Sequence, residues 1–217
     1  MYHVLPKPQV CRLFLIRHGA TAANLQRPYI LQGRTLNGPL SETGITQAQA
    51  TRDFLQSFPL SSVHCSPMLR AKQTAEIIAE PHKLPLEMHD DLIEVHVGDW
   101  ESMSWDKIME ANPEQYEQFM ASPGTTPYLG GESYHDVCQR AFPAFEAIAQ
   151  QHLGKSIAVV AHNVVNRSIL SHLLGIEINK AKDIVQKNCC VNVIDYKQGT
   201  WSVATLNSAF HLPVEAD

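Results

Sequence analysis

The sequence predicts an α/β fold of three layers, α/β/α, with a mostly parallel central sheet and helices on both faces. Three observations predict it. Residues 156–161 are apolar after Ser156, the composition of a strand buried on both faces, and they run directly into a helical pattern. Residues 10–16 form a second such run, which stops at Arg17-His18-Gly19. Around and between them, segments of helical apolar spacing alternate with short strand-like runs, the order from which parallel sheets are wound. At 217 residues the chain fits one domain, 1–217, because single cores stop growing near about 250–300 residues.

The elements follow in order. After the first strand, residues 21–40 hold no sustained period, and Pro28, Gly33, Gly38 and Pro39 mark a long loop. Ser41 and Thr43 offer caps for a helix to about residue 58, with Ile45, Ala48, Leu55 and Phe58 on its inner face. A short strand, 62–65, precedes Ser66-Pro67 and a helix over 68–79, with Arg70 in its first turn. Residues 85–88 read as a further strand, and 105–110 and 113–120 as helices. A longer helix over 133–152 turns Val137, Ala141, Phe145 and Ile148 inward, but Pro143 predicts a kink or a split into two. The strand 156–161 ends at His162, before a helix to residue 174. Strands over 190–196 and 201–206 close the chain as a hairpin through 197–200. In a parallel sheet, ligands bind beyond the C-terminal strand ends, where Arg17, His18 and His162 would converge.

A net charge of -5 and a pI of about 6.1 oppose binding to nucleic acid or anionic membrane, so the expected partner is a small molecule. Residues 1–10 show neither a leader nor an anchor, which implies a cytoplasmic protein. The five cysteines lack C-x-x-C spacing and read as reduced, mostly buried thiols. His82, His89 and His96 recur every seven residues but match no familiar ligand spacing, and Pro85 breaks any shared helix, so no metal is expected. An exposed strand edge leaves room for a homodimer.

Residues 17–40 hold Arg17, Arg27 and Arg34 and no acidic residue, in a chain of negative net charge, as a loop that meets an anion would. Arginine's fork matches phosphate or carboxylate, and histidine attacks or exchanges protons near neutral pH. Taken alone, Arg17-His18 reads equally as a surface arginine beside a buried histidine. The wider pattern decides: Leu15-Ile16-Arg17-His18-Gly19, Gln32-Gly33, Leu40-Ser41-Glu42-Thr43-Gly44, Ser66-Pro67-Met68-Leu69-Arg70-Ala71, Leu92-Ile93-Glu94, Gly98-Asp99-Trp100-Glu101, Gly130-Gly131-Glu132-Ser133 and Ala161-His162 occur in sequence. In this the chain closely resembles the histidine phosphatase superfamily, the phosphoglycerate mutase-like proteins, in its phosphatase branch.

The resemblance implies that His18 is the nucleophile and forms a phosphohistidine, that Arg17, Arg70 and His162 hold the phosphoryl oxygens, and that Glu94 donates a proton to the leaving oxygen. Glu94 must then begin protonated, which Ile93 and Val95 would favour. Two arginines and a second histidine can replace a metal, so no cofactor is implied. Thr21, Asn24, Gln32, Gly33 and Asn163 are assigned to phosphate or substrate contact, although a turn asparagine such as Asn24 often serves only its own backbone. Three positions depart from the pattern: Asn163 stands where relatives carry glycine, Ala20 where they carry glutamate, and Ser102 where they carry glycine. Asn163 is expected to tolerate a positive φ and to add an amide to the pocket.

The expected activity is metal-independent hydrolysis of a small phosphomonoester. A cofactor-dependent mutase is the alternative, but from Leu92 to Gln139 Lys107 is the sole basic residue other than histidine, too few cations to clamp a second anion. A non-catalytic phosphate-binding scaffold is the other alternative, opposed by the complete set of five residues. Trp105, Tyr116, Phe119 and Tyr128 suggest an apolar lid over a substrate larger than glycerate.

Overall fold

Six strands form one sheet in the order β3-β2-β4-β1-β5-β6: β1 Cys11–Arg17, β2 Leu60–Cys65, β3 Leu86–Met88, β4 Ser156–Ala161, β5 Val191–Lys197 and β6 Thr200–Ser208. The structure, a computed structural model, describes residues 5–213. Strands β1 to β4 run parallel, whereas β5 lies antiparallel to β1 and β6 antiparallel to β5. The predicted parallel sheet is therefore a block of four strands with a hairpin added at one edge. That hairpin turns on Gln198 and Gly199, both at positive φ, as a tight two-residue connection requires.

Helices cover both faces: α1 Ala22–Leu25, α2 Glu42–Leu55, α3 Leu69–Ala79, α4 Trp105–Ala111, α5 Pro113–Ala121, α6 Tyr134–Gln151 and α7 Asn163–Leu174. Strand alternation sorts the core into two layers. Leu13, Leu15, Ile157 and Val159 pack with Val137, Ala141 and Phe145 of α6 and Val165 and Ile169 of α7. Their neighbours Phe14, Ile16, Ala158 and Val160 point the other way, onto Leu55 of α2 and Ala71, Ala75 and Ile78 of α3. Each fully buried Val, Leu, Ile or Phe among them contributes about 1.5–3 kcal/mol, and each alanine methyl less.

Three expectations need correction. Helix α2 ends at Leu55 and presents Gly44, Gln47, Ala48, Thr51 and Leu55 inward, leaving Ile45 40% exposed, because its buried face meets a polar loop as well as the core. Helix α6 is one helix through Pro143 and not two, with Pro143 on the solvent side, where the carbonyl that loses its partner can bond to water. Of the aromatic residues of the predicted lid, Phe119 is buried core, packed against Trp100, Trp105 and Tyr128 with the Tyr128 ring 4.3 Å away at centroid, whereas Trp105 and Tyr128 also line the cavity beside His18 and Tyr116 is partly buried.

Two motif glycines touch. A methyl group at Gly19 would strike the Gly44 carbonyl, and one at Gly44 the Ala20 carbonyl, so α2 seats directly on the loop that follows β1. Alanine inside a helix normally gains about 0.5–1 kcal/mol over glycine. Here overpacking against backbone wins, at about 1–3 kcal/mol. Gly44→Ala should therefore lower Tm by several degrees and lower kcat with it; a thermal melt with Tm unchanged or raised would show that the loop is free to move.

Candidate active site

Strands β1 and β4 are adjacent, parallel and in register, with Arg17 opposite Ala161. The next residue on each strand is a histidine, and the same register brings His18 and His162 together at a ring-centroid separation of 5.1 Å, with the His18 amide donating to the Ala161 carbonyl at 3.0 Å. Arg70 arrives from the first turn of α3, and Glu94 from the irregular segment after β3. All four side chains are at least 97% buried.

The hydrogen bonds fix the tautomer of His18. Its Nδ1 lies 2.7 Å from the Gly19 carbonyl, which can only accept, so Nδ1 carries the proton. Its Nε2 accepts from Arg70 Nε at 3.2 Å and so presents a lone pair. Burial, then the Arg70 and Arg17 guanidiniums, hold its pKa well below the ordinary histidine range, against a smaller upward pull from Gly19. Burial, Arg70 and His18 do the same for His162. Both rings are therefore neutral at neutral pH. Burial brings Arg70 down to about 10, which leaves it a cation there.

Several buried polar atoms have no hydrogen-bond partner among the described residues: Arg17 Nε, both ring nitrogens of His162 and Asn163 Oδ1. An orphan buried polar atom costs about 1–3 kcal/mol unless something else satisfies it, and these sit around one nucleophilic nitrogen. An oxyanion with several acceptor lone pairs fits the donors among them. Arg17 is anchored beside them by Nη1, which donates to the Gln186 carbonyl at 2.6 Å. Glu94 accepts from the Val95 amide at 2.9 Å and from the Val164 amide, in the first turn of α7, at 3.3 Å.

Of the other expected residues, Asn24 serves the backbone, accepting from the Thr21 amide at 3.1 Å. Thr21 Oγ1 donates to Gln32 Oε1 at 2.7 Å. The Gly33 carbonyl accepts from Arg70 Nη2 at 3.0 Å, so Gly33 holds the arginine in place. Asn163 is the first residue of α7 and takes helical geometry, so the expected positive φ is not used there; Ser102, at φ 65, is the glycine replacement that does adopt it. Arg27 bonds the carbonyls of Asn24 and Gln26 and Arg34 is exposed, so Arg17 alone of the three loop arginines enters the site.

Sequence reasoning missed the supports. Glu101 accepts from the amides of Gly33 at 2.7 Å and of Thr35 and Leu36 at 3.3 Å, shaping the loop whose carbonyls orient Arg70. Arg140, paired with Glu132, donates to the carbonyls of Ile93 and Glu94 and fixes the acid's backbone. Thr74 Oγ1 accepts from the Gly19 amide and donates to the Arg70 carbonyl. Asn188 donates to the His18 carbonyl at 2.9 Å. The G-D-W-E and G-G-E-S patterns flagged Glu101 and Glu132; nothing flagged Asn188.

A cavity of about 120 Å³ opens onto His18, Arg17 and Glu94 and is walled by Tyr29, Tyr128 and Arg167. Arg167 Nε donates to the Ile184 carbonyl at 2.8 Å, and among the described residues no carboxylate forms an ion pair with it. A larger open groove lies beside Arg17, but neither His18, Glu94 nor His162 lines it.

The buried histidines set the acid stability. In the unfolded chain His18, His64 and His162 take up protons near pH 6.5, whereas the folded chain resists this, down to about pH 3 for His64. Below pH 6.5 the unfolded state binds more protons, so stability is complete above that value and falls as pH drops through it. Each adds a slope of up to about 1.4 kcal/mol per pH unit. Urea midpoints should fall steeply from pH 7.5 to pH 5; equal midpoints would mean that these rings are protonated in the fold.

The chain matches, over residues 13–209, the family described as the histidine phosphatase superfamily (branch 1). It is 30% identical to phosphoserine phosphatase 1 of Hydrogenobacter thermophilus, across 93% of this chain and 94% of that one. It is 32% identical to the metal-independent phosphoserine phosphatase of Arabidopsis thaliana, across 94% of this chain and 84% of that one. Among solved structures, Bacillus stearothermophilus YhfR superposes with a TM-score of 0.85 at 29% identity, covering 93% of this chain and 98% of that chain.

Proposed function

The chain belongs to the histidine phosphatase superfamily, branch 1, and from that premise we propose that it hydrolyses a compact, carboxylate-bearing phosphomonoester of the phosphoserine type through a phosphohistidine on His18. It is a phosphoric monoester hydrolase. The observation that carries the reading is His18 Nε2: a neutral, desolvated lone pair ringed by two guanidiniums and buried donors without partners.

In the first step Nε2 attacks phosphorus, the bond to the leaving oxygen breaks, and Glu94 gives that oxygen its proton. Arg70 Nε, which donates to Nε2 in the free protein, turns to a phosphoryl oxygen alongside Arg17 and His162, spreading the equatorial charge. The Nδ1–H bond to Gly19 supports the positive charge that develops on the ring. In the second step water attacks the phosphohistidine, its proton passes to the Glu94 carboxylate, and the N–P bond breaks to release phosphate and restore His18.

The size and charge of the cavity support the substrate class. A space of about 120 Å³ leaves room for a phosphoryl group and a short carbon chain, and Arg167 supplies a cation beyond the phosphoryl clamp, suited to a carboxylate. Among the described residues no helix is long and apolar enough to cross a membrane, and the net charge of -5 favours a small-molecule ligand over nucleic acid.

The test is phosphate release from a panel of phosphomonoesters, with and without chelator. Phosphoserine and similar small carboxylated esters should give the highest kcat/KM, unchanged by chelator. Arg167→Ala should raise KM for them about tenfold or more, as expected for a lost charge-assisted bond, and leave 4-nitrophenyl phosphate little affected. A preference for bulky or uncharged leaving groups would overturn the substrate class while leaving the reaction in place.

A further inference from the structure

Away from this pocket, strand pairing assembles a second cluster. His64 on β2 lies opposite Glu87 on β3 in parallel register, and His89 follows Glu87 by two residues, so all three project from one face of the sheet edge. His64 Nδ1 is 3.0 Å from His89 Nε2 and 3.7 Å from Glu87 Oε2, and the three ligand atoms lie within 4.8 Å of one another. From above, His152 at the C-terminal end of α6 packs its ring against His64 at 4.9 Å.

We propose that His64, Glu87 and His89 form a binding site for a divalent transition ion of the zinc type, distinct from the phosphoryl pocket.

The ligand set is two imidazoles and one carboxylate, among the commonest for zinc. Two nitrogens each about 2.0–2.1 Å from a tetrahedral zinc stand about 3.3 Å apart, so the observed 3.0 Å needs to open only slightly. His64 Nε2 lies 2.9 Å from Ser62 Oγ, a bond that directs the Nδ1 lone pair at the site, as the partners of metal-bound histidines do. Burial lowers the pKa of both His64 and His89, joined at His64 by the rings of His152 and His89 and opposed at His89 by the Glu87 and Asp91 carboxylates, and the net shift favours the neutral, ligating form of each. Loading displaces the proton shared between the facing nitrogens. His89 then carries its proton on Nδ1, so two neutral imidazoles and the Glu87 carboxylate ligate the ion and no net proton is released. The fourth position is open to water or to His152, whose Nδ1 bonds the Ile148 carbonyl and leaves Nε2 available. Glu87 is half exposed, which gives an ion a way in from solvent. Bound there, the ion ties β3, an edge strand of three residues, to β2.

The test is titration of the chelator-stripped, untagged full chain with zinc against a chromophoric competitor, and with cobalt followed by its visible ligand-field bands. One ion per chain is expected, with a higher Tm and four-coordinate cobalt bands. His89→Asn should abolish binding and Glu87→Gln should weaken it by about 10–100-fold or more, the least that disturbing a metal's partners costs; both positions are partly exposed, so the fold tolerates them. His18→Ala should bind as the wild type does. Absence of binding, or binding lost in His18→Ala and kept in His89→Asn and Glu87→Gln, would overturn the proposal, the latter by placing the ion in the phosphoryl pocket.

Discussion

His18→Ala is expected to lose turnover of every phosphomonoester by about 10⁴-fold or more, the scale seen when covalent enzymes lose their nucleophile, and with it the acid-labile phosphate label on the protein. The size follows from the geometry. Among the described residues no other nitrogen of the site has a lone pair fixed by hydrogen bonds at both ends of its ring, and neither ring nitrogen of His162, neutral and equally buried, has a hydrogen-bond partner. Removing the imidazole also takes away the acceptor for Arg70 Nε, so His18→Asn, which retains an acceptor, serves as the second variant. Both should be inactive while binding vanadate or phosphate through Arg17 and Arg70. Substantial turnover in either variant would remove the covalent intermediate from the mechanism and leave direct attack by water.

The parts of this site that could be read from the sequence are those whose signal is local. Strand β4 was legible because it is buried on both faces and so is apolar after Ser156, and β1 because it ends abruptly at Arg17-His18. Arg70 and Glu94 were legible through motif context. What escaped depends on contacts that leave no local trace. Gln186 anchors Arg17 through its backbone carbonyl, which any residue could offer, and Arg140 reaches Glu94 across 46 positions through another. Local signals also misled. The three arginines of residues 17–40 looked like one anion-binding set, yet Arg27 folds back on its own helix end. The seven-residue repeat of His82, His89 and His96 was set aside because it matches no ligand spacing, and no sequence signal pointed to the pairing of His89 with His64, which the register of β2 and β3 sets. Helical spacing placed Ile45 inside, but the inner face of α2 carries Gly44 and Gln47 against the loop after His18 and Thr51 against the Cys189 carbonyl.

Glu94→Gln separates the proton from the shape of the acid. Glutamine fills the same space but cannot give up a proton, and its amide nitrogen must avoid the Val95 and Val164 amides that now donate to the carboxylate. Its oxygen should keep the shorter bond, to Val95, at a cost of about 1–3 kcal/mol for the other. Esters with alkyl leaving groups, whose oxygen departs poorly as an anion, should lose about 10²–10⁴-fold in kcat/KM, the usual worth of a positioned acid. With 4-nitrophenyl phosphate the leaving oxygen needs no proton, so kcat/KM should fall less than about tenfold. The second step needs Glu94 again, now as the base for water, and slows for every substrate alike. The variant should therefore release one nitrophenolate per active site in a burst and then stall as the phosphohistidine. Equal losses for alkyl and aryl esters, with no burst, would mean that Glu94 contributes charge or structure and that the proton comes from elsewhere.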